Sequence, residues 1–158
     1  MATTIQADRL TFIDTNVLVY AHNASEPVKQ HMAQAQLGQL WADGSGVLST
    51  QILQEFYVVA TGKLKPAMLP VEAREIVQLY AAWPVIVIEP SMILTASEVG
   101  ERNQVSFWDA LVLEAARIAG AWRVLTEDLE AGRTIDGILI ENPFTSAGQP
   151  DEPQVSDA

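Results

Sequence analysis

The chain has 158 residues, 49% of them hydrophobic, with no cysteine and a formal net charge of −11. That length suits one domain with a sizeable core, and the lack of cysteine excludes disulfides and thiolate zinc sites. The charge excludes holding nucleic acid by bulk phosphate neutralisation, which needs a basic face; nucleic acid stays a substrate only if gathered acids bind cations that supply the positive charge.

The N-terminus, MATTIQADRL, has neither the basic nor the apolar region of a secretory signal. The richest apolar run, Ala81 to Ile88, is broken by Pro84, so no membrane span is expected. A cytoplasmic protein is the expectation.

Leu10, Phe12 and Ile13 read as a buried strand, and Val17, Leu18 and Tyr20 as a short helix packed back on a sheet. Ser25 is the expected cap of a helix from about Glu26 to Asp43, with Pro27 in its first turn and Gly44 beyond its end. A second strand is expected over 46–49 and a helix over 50–61 stopped by Gly62; a loop holding Pro66 precedes a helix over 70–82. The β-branched run Val85 to Ile88 predicts a third strand, followed by helices over 91–102 and 106–119. Arg123 to Leu125 predicts a fourth strand and Gly137 to Ile140 a fifth.

Strands alternating with long helices imply parallel pairing through right-handed crossovers. The expected fold is thus α/β, a three-layer α/β/α sandwich around a mostly parallel sheet of four to five strands. The expected domain covers residues 1–144. The tail over 145–158 holds Pro150, Pro153 and several acids, and disorder is expected there.

Four acids fall where a purely structural acid should not. Asp14 follows the first strand, at the sheet edge where ligands bind in open parallel sheets, although taken alone the plainer reading is that Asp14, Thr15 or Asn16 caps the next helix. Glu55 shares the apolar stripe of Ile52, Phe56 and Val59, or else sits on the helix flank with its head in water. Asp109 lies in an almost wholly apolar helix, three residues after Ser106 in a capping-box pattern, and also lines up with Val112, Leu113 and Ala116. After the fourth strand, Thr126, Glu127 and Asp128 repeat the opening pattern, with an ordinary polar loop as the alternative.

Two carboxylates about 4 Å apart repel by about 4 kcal/mol at an effective dielectric near 20, so a cluster of four must bind cations, protonate or recruit bases. Oxygen donors without cysteine or a histidine pair point to Mg²⁺ or Mn²⁺; His22 and His31 stand nine apart and read as ordinary residues. The chemistry served by such a site is phosphodiester hydrolysis. Asp14 is the expected central ligand, shared with Asp109, while Glu55 and Asp128 complete or orient the shell. Thr15, Asn16 and Thr126 are candidates for hydrogen bonds that hold those carboxylates.

The segments FIDTNVLVY, STQILQEFY, VSFWDALVLEAA and LTEDLEAG with IENPF resemble, in order, the four acidic motifs of PIN-domain nucleases. The resemblance gives Asp14, Glu55, Asp109 and Asp128 as catalytic and metal-binding acids and runs from Leu10 to Phe144. SFWDAL and the TEDL…NPF ending look most like VapC toxins of bacterial toxin–antitoxin pairs. That likeness implies a Mg²⁺-dependent endoribonuclease, a homodimer, held inactive by a VapB-type antitoxin. Either Glu127 or Asp128 can serve as the fourth ligand, with the threonine-x-aspartate spacing favouring Asp128. Lys63 and Lys65 are weak candidates for RNA phosphate contact, against the plainer reading of two solvated lysines. The alternative function is a PIN-like binding or regulatory module without nuclease activity.

Overall fold

The computed structural model describes residues 9–145. The expectation for the tail therefore lies, beyond Thr145, outside the described residues. The elements run β1 (Thr11–Ile13), α1 (Thr15–Ala21), α2 (Pro27–Asp43), β2 (Gly46–Ser49), α3 (Thr50–Gly62), α4 (Pro70–Tyr80), β3 (Val85–Ile86), α5 (Pro90–Asn103), α6 (Phe107–Ala119), β4 (Arg123–Leu125), β5 (Thr134–Ile135) and β6 (Ile138–Glu141). The sheet order is β3-β2-β1-β4-β6-β5. Every pairing is parallel except that of β5 with β6.

The class is the three-layer α/β/α architecture expected, with one strand more than the four or five anticipated. The extra strand, β5, is a two-residue arm of a hairpin turned by Asp136 and Gly137, both at positive φ. Two residues are too short to show any alternation, so the periodicity argument has nothing to detect there. Conversely, the run Val85 to Ile88 gives only two paired residues, because β3 is the sheet's outer strand and Val87 faces solvent.

The central strands are apolar without alternation, as parallel strands covered on both faces must be. β1 is buried throughout, as is β2. From β1 the chain steps outward to β2 and β3, then returns past β1 to β4. Right-handed crossovers place α1 to α4 on one face and α5 with α6 on the other. α6 packs along β2, β3, β4 and β6 and carries α5 against it. The reversal of strand order between β1 and β4 is the topological switch point, where a crevice opens beyond the strands' carboxyl ends. The β1–β4 register pairs Phe12 with Val124 and Ile13 with Leu125, so Asp14 and Thr126 leave the sheet side by side.

The helix boundaries follow their local signals, with one exchange of roles. Gly44 ends α2 in the left-handed conformation and Gly120 ends α6 likewise. Ser25 does not cap α2: its hydroxyl is spent on the Asn23 side chain at 2.6 Å, and Glu26 holds the cap position without a side-chain bond.

β2 begins at a glycine for a steric reason. A Cβ at Gly46 would lie 2.7 Å from the Trp83 ring, itself packed against Trp41 with ring centroids 4.5 Å apart. Gly46→Ala is therefore expected to destabilise by about 1–3 kcal/mol through overpacking. At roughly 2–4 °C per kcal/mol for a chain of this size, calorimetry should record a melting point several degrees lower. An unchanged melting point would contradict the close approach.

Candidate metal centre and groove

Asp14 stands one residue beyond β1, and its N–H donates to the Leu125 carbonyl at 3.1 Å, carrying the β1–β4 pairing past the end of the strand. The residue is only 4% exposed. Its Oδ1 accepts the Thr15 N–H at 2.8 Å, and its Oδ2 accepts the Thr126 hydroxyl at 2.7 Å and the Asn16 amide at 3.3 Å. Asp14 is the N-cap of α1, and it also brings a carboxylate oxygen to those of Asp109 and Asp128.

Asp109 enters from the other face on the first turn of α6, where the Ser106 hydroxyl accepts the Asp109 N–H at 3.1 Å. Asp128 follows β4; its N–H donates to the Thr126 hydroxyl oxygen at 3.0 Å, and its Oδ2 accepts the Asn16 amide at 3.1 Å. Each of the three offers a carboxylate oxygen, and these oxygens all lie within 4.8 Å of one another. Asn16 and Thr126 bind the cluster together. The Asn16 amide reaches Asp14, Asp128 and Thr126, while its own oxygen accepts the Glu127 N–H at 3.3 Å.

The electrostatics follow from burial. Desolvation, more than any other cause, pushes the Asp14 carboxyl up from 3.8 to about 7. The Thr126 and Thr15 hydrogen bonds oppose that rise, whereas Asp128 and Glu55 add to it by like-charge repulsion. Asp109 is also raised, by burial first and then by the same two acids, against the Ser106 hydroxyl. A group of three carboxylates in which the most buried one resists ionisation calls for a cation.

Glu55 reaches the site's rim but does not join the three. Its Oε2 accepts the Thr15 hydroxyl at 2.6 Å and its Oε1 accepts the Gln51 amide at 3.0 Å, which ties both oxygens to protein donors. Glu127 turns the other way, into an ion pair with Lys29 at 3.0 Å; Lys29 also donates to the Tyr20 hydroxyl at 3.2 Å. Of the two neighbouring acids, Asp128 is the one brought to Asp14 and Asp109.

Beside the cluster opens a groove of about 650 Å³, bordered by Asn16, Glu55, Trp108 and Asp128, with Val58 and Val59 giving it apolar surface. Lys63 lines it too, but Lys65 does not. Sequence reasoning missed Gln51, Lys29 and Trp108. Gln51 had a detectable signal, because it stands one helical turn before Glu55 on the same face of α3. Lys29 had none, since its partner lies 98 residues away.

The sequence profile of the PIN domain matches residues 11–135. This chain belongs to the PIN-domain family. The matched span of this PIN domain begins at the first residue of β1 and ends at the last residue of β5, so it contains all four acids. Among solved structures, the PIN domain is similar to Mycobacterium tuberculosis VapC20, a sarcin–ricin loop cleaving toxin, at 19% identity and TM-score 0.54 over 72% of this chain and 86% of that one. It is also similar to a chain of FitAB bound to an IR36 DNA fragment, at 16% identity and TM-score 0.65 over 87% and 98%. A third likeness is to a chain of DNA-bound VapBC from Salmonella typhimurium, at 17% identity and TM-score 0.59 over 85% and 98%. At such identities these likenesses establish the shared fold. No curated protein sequence gave a match. Among the described residues no helix is long and apolar enough to cross a membrane.

The donor set of this PIN domain fits a hard divalent cation. All three groups offer carboxylate oxygen, the chain has no cysteine, and Asp14 is forced towards protonation where no counter-charge offsets its burial.

Proposed function

We propose that this protein is a Mg²⁺- or Mn²⁺-dependent endoribonuclease and the toxin of a toxin–antitoxin pair. The observation that carries the reading is the convergence of Asp14, Asp109 and Asp128, from three distant parts of the chain, within 4.8 Å at the switch point of the sheet. Asp14, Asp109 and Asp128 would hold the metal, and a divalent cation there supplies charge neutralisation for the phosphodiester and a more acidic attacking water. Thr126 and Asn16 fix the orientation of Asp14 and Asp128. Thr15 holds Glu55 at the rim, where that carboxylate can orient water entering from the groove. Membership of the PIN family, together with the likeness to VapC20 and to a chain of VapBC, supports RNA as the substrate and a VapB-type antitoxin as the partner. A homodimer in the cytoplasm completes the proposal.

The test is cleavage of a mixed single-stranded RNA pool with Mn²⁺ or Mg²⁺, compared between wild type and Asp109→Asn. Asparagine keeps the backbone N–H that Ser106 accepts but removes one of the three charges. Cleavage is expected to fall by about 100-fold or more, the scale on which removing one strong electrostatic contributor to catalysis acts. Circular dichroism should stay the same. RNA left whole by the wild type with either ion, or cut equally by the variant, would refute the reading and favour the binding module.

A further inference from the structure

We propose that the indole of Trp108 is a stacking platform for an unpaired RNA base next to the scissile phosphate. This deepens the nuclease reading and rests on it. Trp108 is 62% exposed, on the first turn of α6 immediately before Asp109, and it lines the groove that the carboxylate cluster borders at Asp128. The other tryptophans are engaged within the fold: Trp41 and Trp83 pack on each other, and Trp122 lies against the guanidinium groups of Arg9 and Arg123. Trp108 meets Phe107, its own chain neighbour, edge-on at 5.2 Å and leaves a face to solvent.

Its position is fixed from beneath. Gln51 is 4% exposed and donates to the Trp108 carbonyl at 3.3 Å with the same amide that holds Glu55. Both partners are acceptors, so the amide nitrogen must face them, and one buried group sets the backbone under the indole and the carboxylate at the groove's rim.

The charge of the molecule argues for a base as the occupant. With a net charge of −11, the protein cannot gain affinity for RNA by phosphate neutralisation over a basic face. Lys63 is the lysine that lines the groove. Beyond what cations at the cluster provide, affinity has to come from bases, and base–aromatic stacking is the sequence-tolerant contact a single-stranded substrate offers. A strand with a phosphate at the cluster and its next nucleotide in the groove shares that groove with the indole, because Trp108 and the cluster's Asp128 both line it.

The experiment measures KM and kcat for a short single-stranded RNA in Mn²⁺ with wild type, Trp108→Phe and Trp108→Leu. In parallel, fluorescence of the same RNA carrying 2-aminopurine beside the cut is read by rapid mixing before turnover. Phenylalanine keeps a π-face and should hold KM within about threefold of wild type and quench 2-aminopurine. Leucine keeps apolar bulk without a π-face and should raise KM about 10- to 100-fold, the range of a lost base stack, with a smaller change in kcat and no quenching. A leucine variant that matches wild type in KM and quenching overturns the proposal and leaves the indole as an apolar contact for a protein partner. RNA uncut by the wild type is a different failure: it removes the nuclease reading, and the stacking role with it.

Discussion

Asp14→Asn is expected to abolish cleavage of RNA, to melt above the wild type in EDTA, and to lose the stabilisation that metal gives the wild type. The asparagine keeps an oxygen for the Thr15 N–H, and asparagine caps helices about as well as aspartate. It loses the acceptor that Oδ2 presents to Thr126 and Asn16, a cost of about 1 kcal/mol for a hydrogen bond made poorly. Against that stands relief from holding a buried carboxylate beside two others, so the metal-free variant gains on balance. With free Mn²⁺ at about 100 times its dissociation constant the wild type should gain about 2.7 kcal/mol, roughly 5–11 °C for a chain of this size, and the variant close to nothing. Should the variant instead be about 1 kcal/mol less stable both with and without metal, Asp14 serves only its hydrogen bonds to Thr126 and Asn16 and holds no ion.

The second large effect is on pH dependence. The Asp14 carboxyl titrates near 7 in the folded protein against 3.8 for an unperturbed aspartate. Between those values the folded state binds the proton that the unfolded state has released, so metal-free stability falls as pH rises from about 4 to about 7 and levels off above. The full loss is on the order of 4 kcal/mol at 1.36 kcal/mol per pK unit. Asp109 is raised and acts in the same direction. His22 opposes both: burial lowers its pKa, so its contribution is lost as pH falls below about 6.5. The comparison that isolates Asp14 is therefore the difference in urea midpoint between wild type and Asp14→Asn, in EDTA, at pH 5 and pH 8. The wild type should be relatively weaker at pH 8, and its affinity for Mn²⁺ should rise across the same range because the ion competes with the proton. A difference that stays constant with pH would show that Asp14 is already ionised at pH 5.

Much of this was legible in the chain, because buried parallel strands and capped helices carry strong local signals. Phe12 and Ile13 run straight into Asp14, and Ser106 and Gly120 bracket α6. What periodicity could not supply was the choice among acids of similar sequence context. Glu55 shares a stripe with Ile52 and Phe56, which placed it near the site. Whether it joined the cluster depended on the Thr15 hydroxyl, a bond that forms across 40 residues, while Gln51, one turn before it on α3, takes its other oxygen. Glu127 and Asp128 are chain neighbours with the same charge, separated by Lys29, which draws one of them away from a direction nothing local announces. Ser25 failed as a cap because Asn23, two residues back, offered its hydroxyl a nearer acceptor.

The pairing of β1 with β4 joins residue 12 to residue 124, and the cluster needs Asp14, Asp109 and Asp128 at once. During synthesis the third carboxylate, Asp128, follows the first, Asp14, by 114 residues. No nascent fragment and no folding intermediate lacking the β1–β4 contact can assemble the three-acid cluster. Such long-range parallel contacts also form late, because their loops are long to close. The three-acid cluster is in effect a check on completed folding: a chain in which β4 has not yet docked on β1 carries the acids without bringing them together.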